Sequence, residues 1–148
     1  MKNIQFNLED IKILRSDCRD HPIVFKESFN FNNLSLDIGA NFNFTDEFAQ
    51  VFMHFQFDYE EDEIATITLS HFDIAYTFEV NELKEVIGKE ESLKFLQLAM
   101  LSIAYSTSRG IIFSETKGFA INEFYLGPIT PNNLFESLVP KPDETNEK

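Results

Sequence analysis

From Ile4 to Val80 the chain alternates apolar with polar residues, stretch after stretch, and then the alternation stops. A period of two sends every second side chain to one face, so these stretches read as strands with one buried side. The clearest contains Leu34, Leu36, Ile38, Ala40, Phe42 and Phe44, with Ser35, Asp37, Gly39, Asn41 and Asn43 between them. Val51, Met53, Phe55, Phe57 and Tyr59 give another, which runs into the acidic turn Glu60-Glu61-Asp62-Glu63. Ile64 to Val80 returns beside it, with Ile67 and Leu69 on one parity and Phe72, Ile74, Tyr76, Phe78 and Val80 on the other, so a long bulged hairpin is predicted. Near the N-terminus Ile4, Phe6 and Leu8 give way to Ile11 and Ile13; this parity switch predicts a bulge at Glu9-Asp10. Arg15 to Pro22 reads as a loop. Beyond it Phe25, Phe29 and Phe31 alternate in a segment framed by Pro22 and Asn32-Asn33.

After Val80 the period becomes helical. Asn81 is a cap candidate for a short helix to Ile87, closed by Gly88. Ser92 is the next, opening a helix over Leu93–Ser108 that Arg109 and Gly110 end. From Phe95 to Tyr105 only Gln97 and Ser102 are polar, whereas a surface helix needs one apolar stripe. Such a helix requires cover on two sides, from the sheet and from a further layer or subunit. Ile111–Phe113 and Phe119–Leu126 predict a small hairpin. Thr130-Pro131 starts a last helix through Val139. A single domain over 1–139 and a disordered polar tail over 140–148 are expected.

The net charge is −13, from 25 acidic and 12 basic residues. That surface repels phosphate backbones and anionic lipid, so nucleic acid and membranes are not expected partners. No apolar run is long enough to span a bilayer, and Met1–Gln5 does not begin like a secretory signal; a cytoplasmic location is expected. The single cysteine, Cys18, excludes an internal disulfide framework and a cysteine-rich zinc site.

Signatures of catalysis are missing. The five glycines are too scattered for a phosphate-cradling loop, and no HExxH, CxxC or calcium-loop pattern occurs. His54 and His71, with Asp58 and Asp73 near in sequence, make a two-histidine carboxylate site conceivable, but strand residues facing solvent or an interface account for them more simply, and no metal is expected. Cys18 with His21 as base sits in a predicted loop and reads as a spectator thiol. Glu60–Glu63 reads as a charged hairpin tip rather than a calcium site. Neither an enzyme nor a cofactor is expected.

What stands out is aromatic: 17 phenylalanines, 4 tyrosines and no tryptophan, with eleven phenylalanines between Phe25 and Phe78. Phe42, Phe55, Phe57 and Phe78, on clean strands, are expected in the core. Phe25, Phe29 and Phe31 are better placed to line a groove along an extended crossover, and exposed aromatic grooves bind other polypeptides.

The order of these elements resembles SecB, the tetrameric export chaperone, and its wider SecB-like family. The resemblance runs from Phe6-x-Leu8-x-x-Ile11 through Phe78-Glu79-Val80, the long helix ending in Ser108-Arg109-Gly110, and Leu126-Gly127-Pro128-Ile129, to Leu134-Phe135. It implies an α+β fold: a four-stranded antiparallel sheet with a long apolar helix and a short C-terminal helix packed on one side. It implies protomers that pair, and dimers that stack through their long helices, with Ser70, Phe72, Leu96, Met100 and Ile103 at oligomer contacts. It also implies client grooves to which Phe29, Phe31 and Phe135 correspond; Leu138 joins them by helical spacing and Phe25 by its place in the crossover. Export SecB docks the motor SecA through acidic residues, whereas here Arg15 and Arg19 occupy one such place. On the fourth strand Leu69 keeps the apolar partner and His71 replaces the acid, and the stretch between Gly110 and Leu126 is longer.

The expectation is an ATP-independent holdase for unfolded or nascent polypeptides, a homo-oligomer serving protein export with SecA as a conceivable partner through Leu69 and His71. The alternatives are a solo chaperone of a toxin–antitoxin system, a small-ligand α+β domain with an enclosed aromatic pocket, and an assembly module whose aromatics join subunits.

Overall fold

A computed structural model describes residues 3–19, 29–61, 65–124 and 126–138. Four strands, β1 (Phe6–Cys18), β2 (Leu34–Phe44), β3 (Phe48–Glu61) and β4 (Ala65–Val80), form one antiparallel sheet in the order β1-β4-β3-β2. Three helices follow: α1 (Leu83–Ile87), α2 (Glu90–Glu115) and α3 (Pro131–Leu138). Helix α2 packs on β3 and β4, and α3 packs on α2 and β2, which is the helix-on-one-side arrangement expected. The first two strands occupy opposite edges of the sheet; residues 20–28 between them, Phe25 and His21 included, lie outside the described residues, as does the tail over 140–148.

Alternation becomes a core in a simple way. Val51, Met53, Phe55, Phe57 and Tyr59 of β3 are buried, and their cross-strand partners on β4 include Tyr76, Ile74, Phe72 and Ser70, also buried. Leu96, Met100, Leu101, Ala104, Tyr105 and Ile112 of α2 close that layer from above. The Tyr76 and Ser108 hydroxyls meet at 2.6 Å and tie β4 to α2 inside the core. Burial pushes the Tyr76 phenol above its ordinary value, against the opposing Ser108 bond.

Four expectations are corrected. First, β1 continues as a strand through Arg15–Cys18, with register shifts at Leu8/Asp10 and Ile13/Arg15. A polar edge strand has no buried face to betray it. Second, Phe31 opens a 3-10 turn over Phe31–Asn33 instead of continuing an extended run. Third, α1 is preceded by Glu82 in the left-handed region (φ 57°), while Asn81 is bound to Gln5 of the N-terminal segment through both backbone and side chain. Fourth, α2 begins at Glu90 and runs through Arg109-Gly110 to Glu115, and a 3-10 turn follows over Ala120–Glu123, so among the described residues no hairpin forms after Gly110. Ile112 extends the buried stripe one more turn, and Gly110 sits on the open side, where a Cβ would meet nothing within 4 Å. A helical glycine costs about 1 kcal/mol relative to alanine, too little to stop a helix whose packing continues. The stop comes at Thr116, whose hydroxyl donates to the Ile112 carbonyl at 2.8 Å, with Asn122 donating to the Phe113 carbonyl at 2.9 Å. Gly118, at φ +87°, then makes the left-handed turn.

Arg109 therefore has another task than capping. Its Nε donates to the Leu126 carbonyl at 2.7 Å, and the Tyr105 hydroxyl donates to the Gly127 carbonyl at 2.9 Å. This clasp holds the 126–130 segment against α2 and delivers α3 to the β2 side of the sheet. Burial raises the Tyr105 phenol above its usual range, with the Arg109 charge opposing it.

Candidate functional site

Among the described phenylalanines only Phe55, Phe57, Phe72 and Phe78 are buried. The rest keep surface, and five of them, Phe29, Phe31, Phe42, Phe44 and Phe135, gather on the β2 flank. The even-numbered residues of β2 lie beside the buried row of β3, Leu34 against Tyr59, Leu36 against Phe57, Ile38 against Phe55 and Phe42 against Val51. Yet β2 is an edge strand, and α2 reaches only as far as β3. Leu34, Leu36, Ile38, Phe42 and Phe44 are consequently half-buried, on either side of the buried Ala40. From Leu34 to Phe44 the row extends roughly 34 Å at strand rise, enough for an extended segment of about ten residues.

Aromatics close both ends. At one, Phe29 meets Phe31 edge-on with centroids 4.9 Å apart and meets Tyr59 at 5.0 Å, while the Asn30 amide donates to the Tyr59 hydroxyl at 3.2 Å. At the other, Phe42 stacks with Phe44 at 6.4 Å and meets Phe135 of α3 at 6.4 Å. Phe31 is 41% exposed. Phe135 and Leu138 are half-buried. Phe29 and Phe31 are thus brought together, whereas Phe135 stands at the far end with Phe42. Phe25 lies outside the described residues. Sequence reasoning missed Phe44 and placed Phe42 in the core; the alternation on β2 was visible, but not that β2 would be an edge.

The oligomer candidates are placed differently. Ser70, Phe72, Leu96 and Met100 are buried within the protomer and have almost no surface left for a second subunit, while Ile103 is half-buried. The Ser70 hydroxyl has no hydrogen-bond partner among the described residues. The outward side of α2 instead carries the exposed Phe95, with Leu98, Ala99 and Ile103 half-buried beside it. Of the motor-docking candidates, Leu69 is 4% exposed, and its carbonyl accepts from the Arg19 amide at 2.9 Å.

His71 lies on the sheet face away from the helices. That face is a set of polar ladders: Asn43 to Gln50 to Thr77 across three strands, and Thr68 and Gln56 to Asp58. Between them His54 Nδ1 stands 2.8 Å from Asp73 Oδ1, and His71 Nε2 stands 3.1 Å from His54 Nδ1 and 3.2 Å from Asp73 Oδ1. Partial burial works to raise the Asp73 carboxyl, but the hydrogen bonds and charge of the two imidazoles outweigh it and hold Asp73 below the ordinary carboxylate value. A surface depression of about 450 Å3 lies elsewhere, with mixed walls that include Ile4, Gln5, Asn81, Glu82, Glu85 and Val86.

No family model matches this chain, and no curated protein matches it. Among solved structures it is similar to the Mycobacterium tuberculosis Rv1957 SecB-like chaperone in complex with a ChAD peptide from the Rv1956 HigA1 antitoxin. The identity is 14%, the likeness covers 84% of this chain and 91% of that one, and the TM-score is 0.50. A Streptococcus agalactiae protein of unknown function shares 12% identity over 74% of this chain and 88% of its own, with a TM-score of 0.28. With the sheet order and the one-sided helices, the first likeness defines a SecB-like α+β fold. Among the described residues no helix is long and apolar enough to cross a membrane.

Proposed function

We propose that this chain is an ATP-independent chaperone that holds non-native polypeptides along the half-open row of β2, between the Phe29–Phe31 pair and Phe135. One observation carries the reading: the row is strand-length and apolar, half-buried on either side of the buried Ala40, and α2 packs on β3 and β4 while only the short helix α3 packs on β2, with Phe135 at the Phe42 end. An extended client burying about 400 Å2 of apolar surface would gain roughly 10 kcal/mol at ~25 cal/mol per Å2. Several kcal/mol of that go to ordering client and side chains, which leaves binding that is useful and releasable. The SecB-like neighbour is bound to a peptide, which fits this use of the fold. The test is suppression of aggregation of a chemically unfolded client without nucleotide. Suppression near stoichiometric ratios is expected; none at several-fold excess contradicts the proposal.

The protein works as a homo-oligomer in this reading. The second apolar side of α2, with Phe95, Leu98 and Ile103, is the surface on which dimers would stack, and mass in solution checks it. An export role served by SecA is the less supported half. Leu69 is buried, His71 is engaged with His54 and Asp73, and Arg15 pairs with Asp17 at 2.6 Å on that same face. Those features favour the second reading, a SecB-like solo chaperone holding an antitoxin segment, in line with the peptide in the neighbour. Direct binding assays with SecA and with an antitoxin peptide separate the two.

A further inference from the structure

His54, His71 and Asp73 bring three metal-ligand atoms together on the open face of the sheet. The three facing atoms, His54 Nδ1, His71 Nε2 and Asp73 Oδ1, are mutually 2.8, 3.1 and 3.2 Å apart. Each imidazole nitrogen carries one proton or one lone pair, and an ionised carboxylate oxygen only accepts. If both nitrogens are protonated, both donate to Asp73, and their N–H groups then confront each other across 3.1 Å. If one is protonated, the other turns its lone pair on the Asp73 oxygen. Asp73 Oδ2, also 3.2 Å from His71 Nε2, can take the second donor, which leaves the two imidazole nitrogens side by side at 3.1 Å. A cation in the middle draws all three atoms together, because each then presents a lone pair to it.

The dimensions suit such an ion. Donors about 2.0–2.1 Å from a tetrahedral metal lie roughly 3.3 Å from one another, so only tenths of an ångström of adjustment are needed. On its other side, the Nε2 of His54 faces Asp37 Oδ2 at 4.0 Å. That distance is beyond a hydrogen bond and the carboxylate is largely exposed, so it adds negative charge on that side without fixing the ring. Gly39 is the β2 residue opposite His54 and puts no side chain beside the ring, which leaves an approach from solvent. Arg15, the register partner of Asp73 on β1, is turned to Asp17 and leaves the Asp73 carboxylate to the histidines. The His71 side chain is 14% exposed and those of His54 and Asp73 about a third, so three ligands are held and a fourth position stays open to water or an outside donor.

We propose that His54 Nδ1, His71 Nε2 and Asp73 Oδ1 bind one divalent transition-metal ion, zinc being the probe of choice, on the open face of the sheet. Two imidazoles and one carboxylate suit zinc, copper or nickel and disfavour calcium and magnesium, which take oxygen donors. The ion bridges β3 to β4, so it stabilises the folded state by binding it. The site is on the face opposite the client row and stands or falls independently of the chaperone reading.

The experiment is calorimetric titration of zinc chloride into the full chain after chelator treatment and desalting, with thermal unfolding and cobalt(II) absorption as second readouts. Saturable binding of one ion per chain, a melting midpoint several degrees higher at saturation and the visible bands of tetrahedral cobalt are expected. His71→Ala and His54→Gln should each weaken binding at least tenfold while the metal-free melting midpoint stays near wild type. Absence of saturable zinc binding overturns the proposal. So does equal affinity in wild type, His54→Gln and His71→Ala, which would put the ion elsewhere on the chain.

Discussion

Two regions of this molecule share a sheet and differ in how they are finished. In the β3–β4–α2 layer, rings from both strands and the buried stripe of α2 close on one another, and Phe55, Phe57, Phe72 and Phe78 vanish from the surface. On the β2 flank the same alternation, with the same kinds of residue, is left half-covered. The difference lies in position and not in composition. An inner strand has neighbours on both sides and a helix above, whereas β2 has one neighbour, the crossover end and the short helix α3. Equal hydrophobicity thus becomes core in one place and surface in the other. Unpartnered apolar surface on this scale is a binding device or a liability.

The contrast can be broken first by truncation. Phe55→Ala in the closed layer should cost about 3–5 kcal/mol of stability in urea unfolding, whereas Phe31→Ala, at 41% exposed, should cost under about 1 kcal/mol. Similar losses at both positions would mean that the flank is core after all. Next, the double change Phe29→Ser with Phe135→Ser should lower client affinity roughly tenfold or more. The far-ultraviolet spectrum and the oligomer mass should stay unchanged. Lost oligomers would instead identify these rings as subunit glue. A smaller effect is expected at the clasp: Arg109→Met removes the bond to the Leu126 carbonyl and should cost about 1–2 kcal/mol, with amide exchange over 126–138 quickening before that of β3 and β4.

The smallest effect is one of pH. Asp73 is held below its ordinary value in the folded protein, so its contribution is present above the unfolded carboxylate range and is lost as pH falls through the depressed folded value. Asp73→Asn should therefore flatten the loss of stability below about pH 4 and lower stability slightly at neutral pH. An unchanged acid limb would show that its neighbours contribute nothing to stability.

How much of this was legible follows from the same contrast. β2, β3 and β4 could be read because a buried face leaves a period of two, and the bulge in β1 because the parity switches. The end of β1 could not, since Arg15–Cys18 on an edge carry no such pattern. Gly110 misled because a glycine after an arginine looks like a helix stop, and only the packing of Ile112 shows that the helix goes on. Within the candidate site, Phe29, Phe31 and Phe135 stood out as aromatics with no clean place in a core. Phe42 and Phe44 did not, because strand order is a long-range property that alternation does not encode. The His54–His71–Asp73 triangle needed the register of β3 on β4, in which His54 faces Asp73 and Gln56 faces His71.

The most direct test is amide hydrogen exchange with and without a saturating, permanently unfolded polypeptide. The open flank predicts new protection over 29–44 and over α3, with β3, β4 and the buried stripe of α2 unchanged. Protection confined to other surfaces, or none at saturation, would contradict the claim that the uncovered rings of β2 grip unfolded chains.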